Sequence, residues 1–247
     1  MDILDGDKYK HGRCSVGRMA ENVRDLASSL NHKFILMIGD SRTMQLFRYI
    51  RILLNGRFDE VKLFSSADLR AEFSDAERNF SMLYYFKPLP DLVTQDIIRE
   101  WTAATAPRRP DYLFYETGVW SLYHFGPQFL PTFRENVTAI ADVMALTRNT
   151  TIPIWIRTLP IHIDTPSHKA GWAKTLYNRT DLLIESFGQA VEDVARQHRF
   201  TLWTSAHHVA KRNPQFYHDK IHPGLPMLRL FACQFLTALS TNTNCLD

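Results

Sequence analysis

Phe34-Ile35-Leu36-Met37-Ile38-Gly39-Asp40-Ser41 is followed at once by Thr43 to Leu54 (TMQLFRYIRILL). Five consecutive apolar residues suit a strand buried on both faces, as in a parallel sheet, whereas Met44, Phe47, Ile50 and Leu54 recur at the spacing of one helix face. Gly-Asp-Ser between them is turn chemistry: glycine relieves backbone strain, and Asp and Ser hydrogen-bond their own backbone. The stretch therefore predicts strand, tight turn, helix, with Ser41 at the turn. Ligands of open α/β sheets gather at the carboxyl ends of strands, where a helix N-terminus also favours negative charge.

The same alternation continues along the chain. Apolar runs at Phe34 to Ile38, Val61 to Phe64, Met82 to Phe86, Tyr112 to Tyr115, Ile152 to Ile156 and Phe200 to Trp203 read as strands, and Pro131 to Thr147 and Asp181 to His198 as helices. The expected fold class is α/β: one three-layer domain with a mainly parallel central sheet and helices on both faces. We place it at residues 31–240, after an N-terminal segment of residues 1–30. The longest irregular stretch runs from Thr158 to Trp172, and long loops in compact domains are usually functional or mobile.

Composition narrows the partners. With 247 residues, 45% of them hydrophobic, the chain can bury a core without staples, and 29 basic against 26 acidic residues leave no charge block that could follow a phosphate backbone. Nucleic acid is not an expected partner. No apolar stretch reaches the length of a membrane span, and Met1 to Asp5 lacks the order of a signal peptide. Four sequons, at Asn79, Asn136, Asn149 and Asn178, exceed the one or two expected by chance, about, for such a composition. They point to a secretory lumen such as the Golgi, or to secretion, with the true start or an anchor upstream; a cytoplasmic protein with accidental sequons is the alternative. Cys14, Cys233 and Cys245 allow at most one internal bridge.

A second cluster, Asp219-Lys220-Ile221-His222, supplies what Ser41 lacks. A serine hydroxyl needs a base to take its proton and a third group to orient that base, and Asp-x-x-His offers both within one turn of chain. Ser41, His222 and Asp219 are the candidate nucleophile, base and orienting carboxylate. His218 and His222 have the spacing of a zinc pair, but the usual intervening glutamate is missing and Pro223 stops a helix, so neither metal nor cofactor is expected. Trp120 and Trp172, in predicted loops, are the better candidates for stacking on a sugar ring; Trp155, inside a strand, reads as core.

Ile38-Gly39-Asp40-Ser41-Arg42 with Gln45-Leu46-Phe47, Tyr84-Tyr85-Phe86-Lys87-Pro88, Thr117-Gly118-Val119-Trp120, Trp155-Ile156-Arg157-Thr158 and Asp219-Lys220-Ile221-His222-Pro223 together resemble the SGNH/GDSL hydrolase superfamily. They most resemble its PC-esterase branch, which includes plant polysaccharide O-acetyltransferases and the luminal domain of sialate O-acetyltransferase. The resemblance implies an acyl ester as substrate, acetylated carbohydrate in several relatives, and water or a sugar hydroxyl as acceptor. Pre-aimed donors at a tetrahedral intermediate make the Ser41 and Gly118 backbone N–H groups the candidate oxyanion hole, and Arg157, Arg42 and Trp120 are candidate contacts for a sugar or leaving group, with structural ion pairs the alternative for the arginines. Superfamily members commonly carry an asparagine where this chain has Glu116, a carboxylate that would repel a developing oxyanion unless protonated or turned away. That departure motivates the alternative of a catalytically inactive binding module with the same fold.

Overall fold

The computed structural model describes residues 9–11, 14–16, 30–55, 63, 68–162 and 181–240. At its centre is β3 (Phe34–Gly39), buried along its whole length and paired in parallel with β5 (Phe80–Phe86) on one side and β6 (Tyr112–Tyr115) on the other. Beyond β6 follow β7 (Ile152–Ile156) and β8 (Thr201–Trp203), both parallel, and beyond β5 lies β4 (Arg70–Asp75), which is antiparallel. The sheet order is therefore β4-β5-β3-β6-β7-β8. A separate hairpin, β1 (Tyr9–His11) with β2 (Cys14–Val16), belongs to the N-terminal segment.

Strand alternation sends successive side chains to opposite faces. Ile35 and Met37 join a core with Met44, Phe47 and Ile50 of α1 (Ser41–Asn55), Ala206 and Val209 of α6 (Ser205–Arg212), and Phe231 and Phe235 of α7 (Leu225–Ser240). Phe34, Leu36 and Ile38 join a second core with Ile98 of α2 (Leu92–Thr102), Leu122 of α3 (Val119–Phe125), Phe133 and Val137 of α4 (Leu130–Ala145), and Phe187 of α5 (Asp181–Gln197). This is the expected single α/β domain, with three layers and helices on both faces of a mainly parallel sheet.

The order of strands fixes where a site can form. After β3 the chain moves outward to β4 and β5, and after β5 it crosses to β6 on the opposite side of β3. The strand order reverses at β3, so its carboxyl end is the switch point at which ligands of open α/β sheets bind, and that is where Ser41 begins α1.

One strand reading is corrected, and one strand had no counterpart in the sequence reading. Leu63, within the run read as a strand from Val61 to Phe64, is helical, and the rest of that run lies outside the described residues. The edge strand β4 was not anticipated, because Arg70, Glu72 and Ser74 are exposed and only Phe73 is buried. Of the long Thr158 to Trp172 loop, residues 158–162 are described; Trp172 and Asn178 lie outside the described residues. Cys233 is a buried free thiol.

Candidate active site

The Gly39-Asp40-Ser41 turn is held from all sides. A Cβ on Gly39 would collide with the Thr43 hydroxyl, so only glycine lets α1 start this close to the end of β3. Lys87 N–H donates to the Gly39 carbonyl at 2.9 Å, and the Tyr84 hydroxyl donates to the Asp40 carbonyl at 3.0 Å. The Asp40 carboxylate accepts from Arg42 N–H at 2.8 Å, satisfying one of the amides that the first turn of a helix leaves unpaired. Asp40 is thus the local fastener its turn chemistry suggests.

The second half arrives on a tight reversal. A bridge between Tyr217 and Pro223 closes it, and His218 N–H donates to the His222 carbonyl at 2.8 Å. Inside the loop one Asp219 oxygen accepts the backbone N–H groups of Ile221 and His222 at 2.7 and 2.8 Å. The other accepts His222 Nδ1–H at 2.7 Å. With Nδ1 carrying the proton, Nε2 is left as acceptor, and it lies 2.8 Å from Ser41 Oγ. Burial works to raise the Asp219 pKa, but the hydrogen bond and charge of His222 and the two backbone amides outweigh it and lower it to about 2. The carboxylate is therefore ionised at any working pH. Ser41 and His222 are half-buried, so a substrate can reach the pair.

Gly118 sits at φ 130°, a left-handed conformation that favours glycine, and opens the short helix α3. Glu116, two residues earlier, is 1% exposed. One of its oxygens forms an ion pair with Arg42 Nη2 at 2.6 Å, and the other accepts from the Thr43 hydroxyl at 2.6 Å. Arg42 also pairs with Asp40 at 3.3 Å and donates to the Leu159 carbonyl at 3.1 Å. Burial pushes the Glu116 pKa upward, Arg42 opposes this and the Asp40 charge adds to it, leaving the group at about 7. Burial would lower the Arg42 pKa, but Asp40 and Glu116 more than reverse that.

Other residues named from sequence fall in different places. Arg157 pairs with Glu185 at 2.7 Å and Glu192 at 3.0 Å, both on α5. Trp120, read from sequence as a loop residue, lies instead in the first turn of α3, which starts directly after Gly118; it is half-buried, edge-on to Phe86 at 5.7 Å, and Phe86 is the β5 residue paired with Gly39. Tyr123 and His124 continue the aromatic surface at 5.9 and 5.2 Å from Trp120. Trp155 is buried in the core against Tyr115 and Phe200, as its place in a strand suggests. Sequence reasoning missed the Asp40–Arg42–Glu116 cluster, for which the one signal was an arginine placed directly after Asp-Ser at the start of a buried helix.

No protein-family model and no curated protein matches this chain. Among solved structures it is similar to LAE5, an alpha/beta hydrolase enzyme from the metagenome of Lake Arreo, Spain, with 17% identity and a TM-score of 0.51 over 88% of this chain and 97% of that one. It is also similar to the acetyl xylan esterase AlAXEase, with 12% identity and a TM-score of 0.50 over 83% and 98%. The fold is theirs. A member of the lipolytic G-D-S-L family from Veillonella parvula DSM 2008 aligns over 85% of this chain and 98% of its own, at 12% identity and a TM-score of 0.49.

Proposed function

We propose that this chain is a serine-dependent acyl-ester enzyme of the SGNH/GDSL type, with Ser41 as nucleophile, His222 as base and acid, and Asp219 as orienting carboxylate. The observation that carries this is one continuous line of hydrogen bonds: Ser41 Oγ to His222 Nε2 at 2.8 Å, then His222 Nδ1 to Asp219 at 2.7 Å. Ser41 Oγ attacks the ester carbonyl carbon as its proton passes to His222 Nε2, and Asp219 stabilises the resulting imidazolium. The oxyanion is received by the Ser41 and Gly118 N–H groups. Collapse breaks the bond to the alcohol, which leaves with the proton from Nε2. Water or a sugar hydroxyl then gives its proton to His222, attacks the acyl-serine, and restores Ser41.

Within this reading we assign the chain to the PC-esterase branch and its substrate to acetylated carbohydrate or glycoconjugate. The family-ordered motifs support the branch. The aromatic surface of Phe86, Trp120 and Tyr123 beside the Ser41 turn supports the sugar, since aromatic faces complement apolar C–H surfaces. An acetyl xylan esterase shares the fold. A luminal or secreted location, in the Golgi if luminal, is in keeping with the exposure of Asn79 and Asn149. Glu116 and Arg157 act as supports in this scheme, because their charged groups are occupied by Arg42 and Thr43 and by Glu185 and Glu192. The inactive binding module drew its motive from Glu116 facing the oxyanion, and those contacts weaken it.

Intact-mass analysis after treatment with a fluorophosphonate tests the proposal. A single adduct on the wild type, absent from Ser41→Ala and His222→Ala, is expected. A well-folded wild type that takes up no adduct would favour the binding module.

A further inference from the structure

Residues 158–162 leave the carboxyl end of β7 and touch every part of the proposed site. The Thr158 hydroxyl donates to the Thr117 carbonyl at 2.7 Å, and the Thr158 carbonyl accepts His207 Nδ1–H at 2.7 Å. The next carbonyl, that of Leu159, receives Arg42 from the nucleophile turn at 3.1 Å. The Pro160 carbonyl accepts the Tyr217 hydroxyl at 2.9 Å, and His162 N–H donates to the Lys220 carbonyl at 2.9 Å, inside the Asp219 to His222 turn. The His162 ring stands edge-on to Tyr217 at 4.5 Å. Thr158 and Ile161 are 0% exposed and Leu159 3%, so the bonds made by Thr158 and Leu159 form without competition from solvent.

We propose that this five-residue strap sets the three parts of the site in register, and that Thr158 is the positioning residue for the Gly118 amide. The inference rests on the serine-dependent reading above. Its physical basis is peptide planarity. The Thr117 carbonyl and the Gly118 N–H belong to one rigid trans unit and point in opposite directions, so a bond that fixes the oxygen also aims the hydrogen. Gly118 alone would aim it poorly, because glycine at φ 130° has no side chain to resist rotation. Thr158 also fills the space a side chain would need: a Cβ on Gly118 would lie 2.7 Å from Thr158 Oγ1. Leu159, one residue further on, holds the Ser41 turn through Arg42, so both oxyanion donors are referred to adjacent residues of the same strap.

Thr158→Val keeps the shape and removes the donor, whereas Thr158→Ser keeps the donor. Removing an oxyanion donor outright costs about 100- to 1,000-fold in kcat, and mis-aiming one should cost about 10- to 100-fold. We expect Thr158→Val to lower kcat on a 4-nitrophenyl acetate substrate, and the rate of fluorophosphonate labelling, by that factor, with KM within about threefold of wild type. Thr158→Ser should recover to within about threefold of wild type. Wild-type kcat in Thr158→Val, or equal losses in the Val and Ser variants, would overturn the strap while leaving the serine mechanism intact, provided the wild type is labelled. A wild type that is not labelled overturns both. Should Thr158→Val not fold, Tyr217→Phe tests the other end: a kcat reduced about three- to tenfold supports the strap, and an unchanged kcat overturns it.

Discussion

Glu116→Gln should make the protein's stability less sensitive to pH between about pH 5 and about pH 8. The carboxyl is buried beneath the nucleophile turn, and its pKa is raised from 4.5 to about 7. A raised carboxyl pKa means that the folded state holds the proton more tightly than the unfolded state. The contribution is fully present below 4.5 and is lost as pH climbs through about 7. The gap of about 2.5 between the two values, at about 1.4 kcal/mol per pH unit, comes to about 3 to 4 kcal/mol. About 2 to 3 kcal/mol of it falls between pH 5 and pH 8. Glutamine has the shape of the protonated acid and no proton to lose. The two proteins should therefore be similar in stability near pH 5, and the variant should be the more stable near pH 8. Urea unfolding of both across that range measures the difference directly, as a midpoint gap that widens by about 1 M. Curves that stay parallel to within about 0.5 kcal/mol would refute the reasoning, because they would mean that the Arg42 ion pair overcomes burial and keeps Glu116 ionised throughout.

Ser41→Ala and His222→Ala should each abolish nearly all turnover, and the double variant should be little worse, since triad members act as a unit; additive losses would show that they work separately. Asp219→Asn should lower kcat by about 10³- to 10⁴-fold on an aryl acetate with the fold intact, by depriving His222 of its orienting anion. The same variant probes acid stability. The Asp219 pKa is depressed from 3.8 to about 2, so its contribution is present above 3.8 and disappears as pH falls towards 2. Allowing for the solvent reaching this carboxylate, the wild type's advantage over Asp219→Asn should shrink by about 1 to 2 kcal/mol across that window in urea titrations. If the proposed sugar surface binds substrate, Trp120→Ala should raise KM for an acetylated oligosaccharide about tenfold with kcat little changed, whereas a fall in kcat at constant KM would count against that role for Trp120.

The central strands were legible because burial on both faces leaves continuous apolar runs, as in Phe34 to Ile38 and Ile152 to Ile156. β4 was not, since an edge strand is free to expose Arg70, Glu72 and Ser74 and its register comes from β5 rather than from its own sequence. The pairing of Asp219 with His222 could be read because the two meet within a single turn. Ser41 could be read because a strand, a glycine and a helix converge on it. The arrangement around Glu116 could not. Its partner Thr43 lies 73 residues away, and only the folded sheet reveals that Arg42 points inward between two carboxylates. Thr158 is harder still, because a threonine after a strand has no local mark that distinguishes a strap from a loop.

Ser41 and His222 are separated by 181 positions, and the sheet must be assembled between them before one can meet the other. Under the proposed serine mechanism, β3 and α1 emerge from a ribosome long before the Asp219 turn, so the serine would spend most of synthesis as an ordinary, unreactive alcohol. Esters met by the nascent chain are in no danger from it. On that proposal, reactivity is withheld until almost the whole domain has been made, a form of latency that follows from the order of the residues alone.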